Sequence, residues 1–215
     1  MEYLVTMTTH VPDGTSEETV EGTRQKEAAR SRQLAAEGHL RRLWRPPLRP
    51  GEWRTLGLFA ANGADELEQV LASMPLRVWR TDEVTLLASH PDDPPGGGTG
   101  AGHAGTGPAT HGDSSTAEFF TTFDIHIPSG TPSESVDDTE AREAKQTHEL
   151  ARQGHLERLW TLPAQIGHGS VLGLWRSADA AEMKAIVDGL PMANWMTVDI
   201  TPLSPHPNDP ASVDN

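Results

Sequence analysis

Gly38-His39-Leu40-Arg41-Arg42-Leu43-Trp44 returns 116 residues later as Gly154-His155-Leu156-Glu157-Arg158-Leu159-Trp160. The same offset carries Leu56-Gly57-Leu58 onto Leu172-Gly173-Leu174 and His90-Pro91 onto His206-Pro207. About a third of the pairs between Glu2 and Pro94 are identical, in register and without a gap, which chance does not produce. Two copies, each long enough to fold, make a duplicated domain rather than a solenoid. The reading divides the chain into a first repeat at 1–91, a linker at 92–116, a second repeat at 117–210 and a short tail at 211–215. The linker is rich in Gly, Pro, Ala, Thr and Ser, cannot bury a core, and is expected to be flexible. About 20 such residues span roughly 25 Å, enough for the copies to pack side by side. His103 and His111 lie in it and read as solvated spacer residues.

Each repeat follows the same pattern. Residues 3–11 alternate as a strand, with Tyr3, Val5, Met7 and Val11 on one face and Leu4, Thr6, Thr8 and His10 on the other. Pro12 and Gly14 end it, as Pro128 and Gly130 do in the second copy. Residues 17–36 read as a helix, begun by Thr15-Ser16-Glu17-Glu18 and closed by Gly38; Thr131-Pro132-Ser133-Glu134 and Gly154 are the second copy's signals. Strands at 39–45 and 53–60, a helix at 64–73 and a strand at 78–88 complete the order β-α-β-β-α-β, the ferredoxin-like split unit of the α+β class. One face of such a sheet carries both helices, so the other needs a cover. The expectation is two ferredoxin-like sheets packed face to face as an intramolecular dimeric α+β barrel, with the polar face of the first strand pointing inward.

Composition bounds the function. The 215 residues carry a net charge of −14, which argues against non-specific nucleic-acid binding and against a polybasic membrane surface. Without cysteine there is no disulfide, thiolate metal site or cysteine nucleophile. The opening Met1-Glu2-Tyr3-Leu4-Val5-Thr6 lacks a signal-peptide pattern, and no apolar run approaches the roughly 20 residues that span a bilayer. A cytoplasmic protein acting on a small molecule is expected, with no metal, no nucleic acid and no membrane partner. P-loop, Rossmann, zinc-helix and nucleophile-elbow patterns are absent.

The repeat resembles the muconolactone Δ-isomerase family. The resemblance rests on Arg24-Gln25-Lys26-Glu27, Gly38, Leu43-Trp44-Arg45, Phe59, Met74-Pro75-Leu76 and His90-Pro91, in order and almost without gaps. Two departures stand out: Arg77-Val78-Trp79 and Ala193-Asn194-Trp195 occupy places where the family has Phe-Pro-Tyr, and the repeat is fused rather than single. The resemblance implies an isomerase that shifts a double bond in a small unsaturated lactone, using one base and no cofactor. It leaves open further homo-oligomers of the internal pseudo-dimer. Two other readings stay open: an isomerase or cyclase on a larger polyketide-like metabolite, and a non-catalytic small-ligand binding protein.

Proton abstraction needs a carboxylate whose pKa burial has raised and donors for the enolate oxygen. The resemblance makes Glu27 and Glu143 the base candidates; the competing reading is a solvated helix glutamate. Arg24 and Arg45 are candidate anchors for an anionic substrate, although Arg24 lies three residues from Glu27 and could simply pair with it. Lys26 points elsewhere. Copy two replaces Arg24 by Glu140 and Arg45 by Thr161, so the first copy is expected to hold the more isomerase-like site. Asp124 and His126 project together from the first strand of copy two and form a possible acid–base pair, with His10 as the first copy's equivalent. His39 and His155 open the second strand of each repeat within reach of a pocket or a helix end. Gly57 and Gly173, mid-strand, mark a close approach to the backbone or room for a ligand, and the second reading would support a pocket in each copy. Trp44, Trp160, Trp79 and Trp195 recur in both copies and read as core or interface before ligand walls, with Trp79 and Trp195 kept as candidate pocket walls. His90 and His206 read as structural.

Overall fold

The computed structural model describes residues 1–95, 116–163 and 169–212. The first repeat runs β1 (Glu2–Thr9), α1 (Glu17–Ala36), β2 (Leu40–Arg45), β3 (Arg54–Ala60), α2 (Ala64–Ala72), a 3-10 turn (Pro75–Trp79) and β4 (Arg80–Ser89). The second runs β5 (Ala117–Ile125), α3 (Ser133–Arg152), β6 (Leu156–Thr161), β7 (Gly169–Ser177), α4 (Ala180–Asp188), a 3-10 turn (Ala193–Trp195) and β8 (Met196–Pro205). This is the α+β split unit, twice. Most of the linker, with His103 and His111, and the last tail residues lie outside the described residues.

The described chain forms two compact units that do not coincide with the repeats. One gathers Met1–Leu87 and residues 204–212; the other takes residues 88–95, 116–163 and 169–203. Each unit is therefore one repeat with its last stretch exchanged for that of the other. In the first unit the antiparallel order is β4-β1-β3-β2, and Trp44 and Arg45 of β2 then pair with Pro205 and Ser204. In the second the order is β8-β5-β7-β6, and Thr161 and Trp160 pair with Ala88 and Ser89.

Local chemistry explains the elements. The β1 face carrying Tyr3, Val5, Met7 and Thr9 is buried. It packs with Leu34, Leu40, Leu43, Phe59, Leu67, Val70 and Leu71 into the first core. Phe119, Phe123, Leu150, Leu156, Trp175 and Met183 are among the second core's members. Ser16 caps α1, its Oγ accepting from the Thr19 amide at 3.2 Å. The helix ends in a Schellman motif: the His39 amide reaches the Leu34 carbonyl, the Gly38 amide reaches that of Ala35, and Gly38 takes φ +80°. The second copy repeats this at Gly154. At the start of α3, by contrast, Pro132 occupies the cap without a side-chain bond, and Ser133 is already helical.

The exchanged stretches are held by ion pairs to a buried arginine, with the first unit's pair buried on both sides. In the first unit Arg42 Nε donates to Asp209 Oδ2 at 3.2 Å, Asp209 Oδ1 also accepts from the Leu43 amide at 2.9 Å, and the Arg42 guanidinium lies over the Trp44 ring. The second unit repeats the arrangement with Arg158, Asp93, Leu159 and Trp160. Asp209→Ala takes the carboxylate from a guanidinium buried against Trp44. Urea unfolding is expected to show a loss of about 3 kcal/mol, and a change within a few tenths would show that the pair does not hold the segment.

Candidate active site

Along α1 the buried residues are Glu27, Ser31 and Leu34, a stripe at helical spacing that brings a carboxylate and a hydroxyl, not only aliphatic groups, onto the sheet. The result is a cavity of about 270 Å³ between α1 and the buried face of β1, within the first unit. Its wall includes Met7, Thr9, Arg24, Glu27, Arg45 and Arg80, and also His206, Pro207 and Asn208 from the exchanged stretch.

Glu27 is 7% exposed. Its Oε2 accepts from the Leu76 amide at 2.8 Å and its Oε1 from Arg80 Nη1 at 3.3 Å. Burial raises its pKa above the usual carboxylate range, against the lowering pull of the Leu76 amide and Arg80. Arg80 is itself gripped by Asp82, with Nε donating to Oδ1 at 2.6 Å and Nη2 to Oδ2 at 3.0 Å. Arg77 extends the network, reaching Asp82 at 2.8 Å and Glu68 at 3.0 Å. Arg24 stacks over Trp53 at 4.5 Å, so its partner is an aromatic ring and the cation beside Glu27 is Arg80.

His206 Nδ1 accepts from the Asn208 amide at 3.1 Å, which puts the proton of the neutral ring on Nε2. Burial, with help from Arg45, lowers its pKa to about 4. The ring is thus a neutral hydrogen-bond donor over the working range.

The second unit has a cavity at the equivalent place, about 340 Å³. Glu143 lines it, with Oε2 accepting from the Met192 amide at 2.9 Å, and burial raises its pKa too. His90, Pro91 and Asp92 form part of this wall. The cations do not recur: Glu140, Thr161 and Met196 stand at the places of Arg24, Arg45 and Arg80, and Val198 at that of Asp82.

The other sequence-selected residues lie elsewhere. Both cavities open on the helix-covered face of the first strand, through Met7 and Thr9 or Phe123 and Ile125, and not on the polar face where the pocket was expected. The reason is parity: Thr6, Thr8 and His10 alternate away from Glu27. His10, Asp124 and His126 line neither cavity; the first and last are exposed, and Asp124 accepts from the Ser170 hydroxyl. His39 and His155 also stand apart. Each donates Nδ1–H to a carbonyl at 3.0 Å, of Ala60 and Arg176 respectively. Gly57 and Gly173 make room for neighbouring side chains: a Cβ on Gly57 would come within 2.5 Å of the Phe59 ring, and one on Gly173 would strike Trp175. Trp79 and Trp195 sit in the 3-10 turns and line neither cavity. Trp44 and Trp160 are fully buried.

Sequence reasoning missed Arg80, Trp53 and the cavity role of His206. The signal for Arg80 was present, since it is an arginine lost between copies, as Arg24 and Arg45 are. Among the described residues no group of three or more His, Asp or Glu is placed to hold a metal ion. No helix among them is long and apolar enough to cross a membrane.

The sequence model of the muconolactone delta-isomerase family matches residues 1–93 and again 117–209. The chain belongs to that family. Individual members agree. Muconolactone Delta-isomerase 1 of Acinetobacter lwoffii is 30% identical over 90 residues, 42% of this chain and 91% of that protein. The Rhodococcus opacus muconolactone Delta-isomerase is 31% identical over 93 residues, 43% of this chain and 97% of that protein. Each relative is thus the length of one repeat, and the family supports an isomerase. A heme-binding protein from Thermus thermophilus shares the fold across 97% of this chain and 93% of its own, at 12% identity and a TM-score of 0.57.

Proposed function

We propose that the first cavity isomerises a small unsaturated lactone bearing a carboxylate, by proton abstraction and return at Glu27, without a cofactor. The reading rests on one juxtaposition: a buried carboxylate with a raised pKa faces a cavity whose wall also carries Arg24, Arg45 and Arg80. The arginines suit an anionic substrate. Glu27 takes the acidic proton from carbon, the electrons move into the dienolate, and the same carboxyl returns the proton further along the system. The Nε2–H of His206 is the donor suited to the developing enolate oxygen. A volume of about 270 Å³ favours a small lactone over a polyketide-sized substrate.

The test is proton NMR of the full chain with muconolactone in D₂O. Isomerisation with deuterium entering the product supports the reading; a folded protein that leaves the lactone unchanged refutes it. The pH dependence has a definite sign. Glu27 works ionised and burial raises its pKa, so kcat/KM should rise with pH and reach half its plateau above the ordinary value of 4.5. His206 is already neutral above about 4 and adds no second limb near neutrality. A profile that stays flat from about pH 4 to about pH 7 would exclude Glu27 as the base.

A further inference from the structure

The second cavity is somewhat larger than the first: Phe123 and Ile125 are bulkier than their counterparts, but Glu140 and Met196 are smaller than Arg24 and Arg80. Phe123 stands at the place of Met7, Ile125 at that of Thr9 and Val171 at that of Thr55. Among its described lining residues none is Lys or Arg, while Asp92, Glu140 and Glu143 are carboxylates. Asp92 corresponds to the uncharged Asn208 of the first cavity. Simple decay would let side chains collapse into an unused space, because empty volume costs stability. Here the space persists, its lining has turned apolar and its charge has reversed.

We propose that the second cavity is a binding site for a small organic cation with an apolar body, of the aryl-alkyl ammonium type. Glu140 and Glu143, three residues apart on α3, share a face, and Asp92 comes to the same wall from the exchanged stretch. Their mutual repulsion is relieved by a positive charge and increased by a negative one. Phe123 and Trp175 meet edge to face at 6.2 Å and give the wall aromatic surface for the apolar body and for cation–π attraction. Asp92 stands 3.8 Å from His90 Nδ1, and burial lowers the His90 pKa, so this ring does not supply the missing cation at neutral pH. The two cavities then sort ligands by the sign of charge. This binding is independent of the isomerase reading.

The experiment titrates the full chain with 2-phenylethylammonium and, separately, with the similarly sized anion 3-phenylpropanoate, following the Met192 and Trp175 backbone amides by NMR. The cation is expected to move them with a Kd at least about tenfold lower than the anion. In Glu140→Arg/Met196→Arg, which restores two of the first copy's three arginines, the order should reverse. Glu140→Gln, at an exposed position that leaves the core alone, should weaken the cation about threefold. Equal or tighter binding of the anion by the unaltered protein overturns the proposal. So does an unchanged preference in both variants, or the absence of any shift at tens of millimolar cation.

Discussion

Glu27→Gln is expected to slow lactone isomerisation about a thousandfold, while Glu143→Gln leaves the rate within a factor of two. The substitution is nearly isosteric, so the loss measures the base rather than the packing. An amide oxygen can still accept from the Leu76 amide, but the amide NH₂ then faces the Arg80 guanidinium in place of a carboxylate oxygen. Arg80 keeps both bonds to Asp82, so the variant should stay folded with a modest drop in stability. Glu143 is the control that the duplication supplies. It occupies the same helix position, is likewise raised by burial, and accepts one backbone amide in the same way. What it lacks is a cationic wall. If Glu143→Gln abolished turnover and Glu27→Gln did not, the reaction would belong to the second cavity and the arginines would not be substrate anchors. Rates measured in D₂O should show loss of isomerisation and loss of deuterium exchange together, because both require the same proton to leave carbon.

Much of the fold was legible because the signals are local and occur twice. The β1 alternation, the Ser16 cap, the glycine after each long helix and the Pro75 and Pro191 breaks all act within a few residues, and the repeat checks each one. What escaped is non-local. Nothing near His206 in sequence shows that it completes a cavity built on α1 of the other repeat, since that depends on the exchange of the repeats' last stretches. The face of β1 that meets Glu27 was not the one expected, for a physical reason: the polar side of a strand looks like the side for chemistry, but the buried carboxylate comes from the helix. Met7 and Thr9 meet Glu27 on the side that reads as core. Of the two readings of the glycines, the close approach is the one seen, since the space above Gly57 and Gly173 is taken by their own strand's aromatic two residues on.

Arg80→Met gives the first copy the residue that the second already has, and the expected outcome is loss of both stability and activity. Glu27 and Asp82 have side chains 9% and 2% exposed and both lean on this guanidinium. Removing it leaves two carboxylates buried near one another, with Arg77 at 2.8 Å the remaining cation on Asp82. A loss of about 4 kcal/mol in urea unfolding is expected, as for other buried pairs broken from one side. A destabilised protein would also be inactive, so the single variant does not separate support of the fold from service to the reaction. The double variant Arg80→Met/Asp82→Val does. It installs the pair found at Met196 and Val198, removes the cation together with its strongest anion, and should recover most of the lost stability. Its activity should not recover. With Arg80 and Asp82 both gone, the Glu27 pKa loses the lowering pull of Arg80, which outweighs the raising push lost with Asp82, so the acid limb of kcat/KM moves to higher pH. The substrate carboxylate loses a cation, so KM rises by about tenfold or more. A stable double variant with unchanged KM and an unshifted acid limb would show that Arg80 only holds the turn before β4 in place, and substrate binding would then fall to Arg24 and Arg45.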